Sequence, residues 1–97
     1  MKVQNLNGTG DAVCSCGTWL EHWRRFNGET KEIPSECAAK DCNEPVGDGA
    51  HVTKCVLHDQ RHYIVPLCKA CNHRQGVFDI GDDIPLALAN VDETCGK

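Results

Sequence analysis

A small α+β domain stapled through its cysteines is the fold class that this 97-residue sequence predicts. Three observations carry that reading. Cysteine occurs eight times, and four of the eight form two close pairs, Cys37-x4-Cys42 and Cys68-x2-Cys71. The 25 residues between the pairs read as a two-stranded hairpin. Ahead of them, Thr18 to Phe26 reads as a short amphipathic helix. A chain of this length supports one domain with a marginal core, which ordinarily needs an added covalent or metal staple.

The helix is well signalled. Thr18 is a cap residue, and Glu21 three positions on completes a capping box. Trp19, Leu20, Trp23 and Phe26 share one face, Arg24 and Arg25 lie off it, and Gly28 suits the stop. Both tryptophans therefore read as core rather than as platforms for stacking bases. Residues 1–13 are polar, without periodicity and contain two glycines, which predicts a disordered tail. The single domain is expected over 14–90, with 91–97 as a loose end.

Within the domain, Lys31 to Pro34 reads as extended and Cys37 to Cys42 as a compact turn. Ala50 to Leu57 reads as the first hairpin strand and His62 to Val65 as the second, with Pro66 ending the pairing. A short helix is expected from within Cys68–Cys71 to about Gln75, stopped by Gly76. Over 77–97 the alternation of Ile84, Leu86 and Leu88 suggests one short packed element, interrupted by Pro85.

The cysteines leave two chemistries open, a disulfide framework or metal ligation. The first residues, Met-Lys-Val-Gln-Asn-Leu-Asn-Gly, lack the apolar run of a secretory signal, and no stretch approaches the ~18 apolar residues of a membrane span. A cytoplasmic location is the expectation, with no membrane partner, and there paired cysteines more often hold metal. Zinc takes four soft or borderline ligands in a tetrahedron, usually from two close pairs on tight turns. Cys37, Cys42, Cys68 and Cys71 meet that condition. The order turn, hairpin, turn, helix is the treble-clef arrangement, with the second pair at a helix start that favours thiolate. One structural zinc ion is therefore expected, with the metal-free chain largely unfolded. Cys14 and Cys16, with His22 or His51, are candidates for a second zinc; the alternative is reduced thiols at a local turn. Cys55 reads as a small buried hydrophobe on its strand and Cys95 as a free thiol. A thiol–disulfide oxidoreductase is disfavoured, because Cys68-x2-Cys71 lacks the βαβ context such enzymes use.

Net charge is −4, against a general nucleic-acid binder. The distribution is uneven: residues 49–76 carry net +3 between flanks of net −4 each, a pattern compatible with an anionic partner or with an ordinary mixed surface. Nucleic acid and protein both stay open as partners. No small-molecule cofactor loop is found.

Residues 37–76 resemble the HNH endonuclease family, whose core is a treble clef with a ββα-metal active site. The resemblance rests on Cys37/Cys42, on His51 in Gly-Ala-His-Val, and on Ile64-Val-Pro-Leu-Cys-Lys-Ala-Cys-Asn-His-Arg-Gln-Gly76. It implies a strand histidine, His51, acting as general base, and Asn72 or His73 as ligands to a catalytic Mg²⁺ or Mn²⁺ ion, with Arg74 and Lys69 as candidate phosphate contacts. The sequence departs from the family at two places. Ala50 stands where the first catalytic-metal ligand belongs, and Tyr63 where an Asn usually orients the base. The expectation is thus a non-catalytic zinc module of HNH-like fold, used in recognition or scaffolding. The alternative is an HNH-type nuclease in which Asp48, Asp79 or Asp82 supplies the missing ligand. His51 itself reads as structural, zinc-ligating or catalytic.

Overall fold

A computed structural model describes residues 1–6, 18–29, 31–59 and 61–89. Its frame is one antiparallel sheet of strands β1 (Lys2–Asn5), β2 (Asp48–Lys54), β3 (His62–Leu67), β4 (Val77–Asp79) and β5 (Ala87–Leu88), in the order β4-β1-β2-β3-β5. Two helices accompany it, α1 (Trp19–Phe26) and the single turn α2 (Lys69–Asn72).

The β2–β3 hairpin is the centre of the sheet, and its register separates two cores. Ala50 pairs with Val65 and Val52 with Tyr63, while His51 pairs with Ile64. Alternation sends successive side chains to opposite faces. On one face Ala50, Val52, Tyr63, Val65 and Leu67 join Val3, Phe78, Ile80 and the cysteines in one buried cluster. On the other, Ile64 packs with Trp23 and Ala87, flanked by Trp19 and Phe26 of α1. β3 is therefore buried on both faces, which explains its run of apolar residues.

Helix α1 forms as its cap predicts. Thr18 Oγ1 accepts the Glu21 N–H at 3.1 Å, and Gly28 takes φ +81° just past the last turn. The Glu21 carboxylate turns to Arg24 Nε at 2.8 Å. Trp23 is buried and donates its indole N–H to the Pro85 carbonyl at 2.8 Å.

Five expectations are corrected. The disordered tail fails over its first residues: Lys2–Asn5 is a strand inserted between β2 and β4, and 7–13 lie outside the described residues, as does the end at 91–97. The first hairpin strand runs 48–54 rather than 50–57, so Cys55 is exposed beyond it rather than buried. Val56 and Leu57 are exposed with it, Leu57 by 89%. Pro66 does not end the pairing. It lies opposite Gly49 in a strand that reaches Leu67. Its carbonyl accepts the Ala38 N–H at 3.0 Å, so the edge on which proline lacks a donor faces away from β2. The second helix stops at Asn72, well short of Gln75, although Gly76 does take φ +81°. Finally, the tail beyond residue 76 contributes two strands, β4 and β5, where one element was expected.

Candidate metal centre

The first cysteine pair sits on a turn held from three sides. The Cys37 N–H donates to Glu44 O at 2.8 Å and the Cys42 N–H to Ala39 O at 3.1 Å, closing the turn on itself. Ala38 bonds Pro66 O at 3.0 Å, and its own carbonyl accepts the Gly81 N–H at 2.8 Å. The turn is thereby fixed between the end of β3 and the segment after β4. The second pair follows β3 directly. Cys68 caps α2, with its sulfur accepting the Cys71 N–H at 3.4 Å, and the Asn72 N–H bonds Cys68 O at 3.0 Å.

These two turns bring four sulfurs together. The ligand atoms of Cys37, Cys42, Cys68 and Cys71 all lie within 4.8 Å of one another, and Cys42 Sγ and Cys68 Sγ are 3.8 Å apart. Sulfurs bound about 2.3 Å from zinc at tetrahedral angles stand about 3.8 Å apart. The donor set therefore fits a tetrahedral tetrathiolate site. Cys37, Cys68 and Cys71 are buried and Cys42 is half-buried. All four are free thiols.

The thiols perturb one another strongly. Burial pushes the Cys71 thiol up to about 12, reinforced by hydrogen bonding with Cys68, Cys37 and Cys42. Burial also raises Cys37. Cys68 is lowered on balance: burial raises it, but the Cys71 N–H and the neighbouring thiols favour its thiolate more strongly. Bare thiolates crowded this closely repel one another, so a divalent cation is the natural partner for the fully deprotonated set.

Among the described residues the four cysteines are the one group placed to hold a metal ion. His51 is half-buried on the α1 side of the sheet, its ring 4.4 Å from Trp19 in an edge-on contact. Burial lowers its pKa, with His62 and His22 adding to the effect. His22 is buried under α1, ring to ring with Trp19 and Phe26, and its Nε2 bonds the Leu88 carbonyl. Its pKa is also lowered, chiefly by burial. Cys14, Cys16 and Cys95 lie outside the described residues. Asn72 Nδ2 donates to Asp48 Oδ2 at 3.3 Å. Asp48 shares its side of β2 with Ala50, so Asn72 works on the face opposite to His51. His51, the general base that the HNH resemblance implies, and Asn72, one of its implied cation ligands, thus lie on opposite faces of the sheet. Ala50, at the position of the missing ligand, is buried in the core.

The candidate phosphate contacts have acidic neighbours. Arg74 makes a bidentate pair with Asp41, at 2.8 and 2.7 Å, and lies over the Phe78 ring at 4.9 Å. Lys69 Nζ is 3.6 Å from Asp48. His73 is exposed. Asp79 pairs with Lys2 and Asp82 with Lys40 and the terminal amine. Lys54 and Arg61 both pair with Asp59. All four cations of the basic segment thus have acidic partners, two of them in the preceding acidic segment. Sequence reasoning missed two residues that touch the second cysteine turn, Asp41 through Arg74, and Asn5, whose side-chain amide donates to Cys71 O and Arg74 O at 2.8 and 2.9 Å. Nothing local marks Asn5, because its partners are 66 and 69 positions away.

No family model matches the chain, and neither the curated proteins nor the solved structures contain a match. Among the described residues no helix is long and apolar enough to cross a membrane.

Proposed function

We propose that the chain is a zinc-binding module of treble-clef type, in which one zinc ion on Cys37, Cys42, Cys68 and Cys71 holds the fold and the protein serves recognition or scaffolding rather than catalysis. The observation that carries this reading is the convergence of four sulfurs from two turns flanking one hairpin. Four protein ligands leave a zinc ion no open position for water or substrate, which is the pattern of structural rather than catalytic sites. When bound, the ion supplies cross-linking of the two turns; the residues around it hold the thiols, exclude water on three of the four, and align their backbone N–H groups with sulfur. Reduced thiols of this kind suit a cytoplasmic setting.

An HNH-like ancestry accounts for the order of turn, hairpin and CxxC helix, and for His51 in Gly-Ala-His-Val. Cleavage by that mechanism needs the base and the cation ligands on one side of the hairpin. The distribution of His51 and Asn72 over opposite faces favours the non-catalytic form. A protein partner is favoured over nucleic acid, because the cations of residues 49–76 are already paired. The reading is tested by metal analysis of the purified protein together with a plasmid-nicking assay in Mg²⁺ or Mn²⁺. One zinc per chain and no nicking is the expected result. Nicking that disappears in His51→Ala would overturn the non-catalytic reading.

A further inference from the structure

Arg74 follows the second cysteine pair by three positions, and Asp41 immediately precedes Cys42. Their bidentate bond, at 2.8 and 2.7 Å, therefore ties one cysteine turn to the other at a point beside the metal site. The Arg74 guanidinium thus bridges the two turns. Phe78 of β4 lies beneath it, which fixes its plane. From the other side Asn5 of β1 grips Cys71 O and Arg74 O. Cys71 O also accepts the Arg74 N–H at 3.1 Å, so Asn5 adds a second bond at the end of α2.

Four thiolates and one zinc ion carry a net charge of −2. A guanidinium beside the two cysteine turns offsets part of that charge, and its fork geometry does so while still holding a carboxylate. An exposed ion pair alone contributes little. Here the pair is bidentate, stacked on a ring and set between the two ligand turns, where outer partners position a metal centre.

We infer that Asp41, Arg74 and Asn5 are positioning residues of the metal centre: Asp41 and Arg74 clasp the two cysteine turns at ligand spacing, and Asn5 fixes the backbone from which Cys71 and Arg74 project. This rests on the tetrathiolate reading above, and the experiment separates the two.

The probes are zinc, by competition against a chromophoric chelator, and cobalt(II), whose sulfur-to-metal charge-transfer band reports on the thiolates. They are applied to the full chain and to Arg74→Gln, Arg74→Lys and Asp41→Asn. Ile64→Val, in the core on the opposite face of β3, serves as a control that weakens the fold without touching this shell. Loss of an outer partner typically costs 10–100-fold in metal affinity. Arg74→Gln is expected to weaken zinc by about that factor, with Arg74→Lys partly rescuing it. Without the clasp the two cysteine turns are held less firmly at ligand spacing, so the cobalt band of Arg74→Gln moves from its wild-type position. Ile64→Val weakens metal binding only through the folding equilibrium and leaves the band in place. An Arg74→Gln protein with unshifted band and unchanged zinc affinity would overturn the inference while leaving the metal site intact. A wild-type chain that takes up no cobalt would overturn the tetrathiolate reading itself.

Discussion

Gly49 of β2 lies directly beneath Trp19 of α1, so close that a Cβ at this position would stand 2.5 Å from the Trp19 carbonyl carbon and 2.7 Å from the Leu20 nitrogen. The clash is with backbone, which cannot rotate away. Gly49→Ala must therefore lift α1 from the hairpin. A loss of about 1–3 kcal/mol is expected, as for other overpacked contacts, read by denaturant unfolding with zinc present. Gly28→Ala makes a useful comparison: its added Cβ meets nothing within 4 Å, so any cost comes from its φ of +81° alone.

Trp23 anchors the α1 core through packing and through its bond to Pro85 O. Trp23→Ala is expected to destabilise by about 3–5 kcal/mol. Trp23→Phe keeps most of the packing but leaves the Pro85 carbonyl without its indole donor, and about 1–3 kcal/mol is expected. Equal stability of Trp23→Phe and wild type would show that the indole bond contributes nothing.

Stability should fall on mild acidification for a reason separate from the thiols. Burial lowers the pKa values of both His22 and His51 in the folded chain. Unfolded imidazoles titrate near about 6.5. Between that value and the lower folded values, the unfolded chain binds protons that the folded chain does not. Stability is therefore fully present above about pH 6.5 and is lost as pH falls through that window. His22→Gln and His51→Gln should each show a smaller drop between about pH 7.5 and 5.5. Proton competition for the cysteines is common to all three proteins and cancels in the comparison. Identical pH profiles would contradict the assignment.

Metal removal should unfold the chain. Structural zinc contributes roughly 10–16 kcal/mol of binding energy in finger peptides, against typical domain stabilities of about 5–15 kcal/mol. Chelation is expected to abolish the near-ultraviolet circular dichroism of the tryptophans. Cys68→Ser should do the same without chelator, whereas Cys55→Ser, on the exposed hairpin end, should change neither signal. Retained dichroism after chelation would show that the two cores suffice alone.

The N-terminal strand should be indispensable. Deleting residues 2–5 removes the strand between β2 and β4 and the Asn5 bonds to the cysteine turn. The truncated chain is expected to unfold without a cooperative transition. A cooperative transition at unchanged denaturant concentration would contradict the central placement of β1.

What was legible in the sequence was local. The two cysteine turns follow from spacing of four and two residues, and α1 from Thr18, Glu21, Gly28 and one apolar face. The hairpin was legible through its β-branched residues, but its ends were not, because Pro66 and Asp48 are admitted by tertiary pairing rather than by propensity. β1 was illegible for a plainer reason. Lys-Val-Gln-Asn buries one side chain fully, Val3, so no alternation exists to be read, and its partners lie some fifty and seventy-five positions away. The pairing of Arg74 with Asp41 is illegible in the same way, because the two are 33 positions apart.

The most direct test of the central claim is a native mass spectrum of the full chain recorded beside a denatured one. The account predicts one zinc ion bound in the native state, released on denaturation, with the denatured mass that of fully reduced cysteines, and loss of the ion in Cys37→Ser. No bound metal, together with a denatured mass lowered by two hydrogens for each bridge, would contradict it and make the cysteine cluster a disulfide framework.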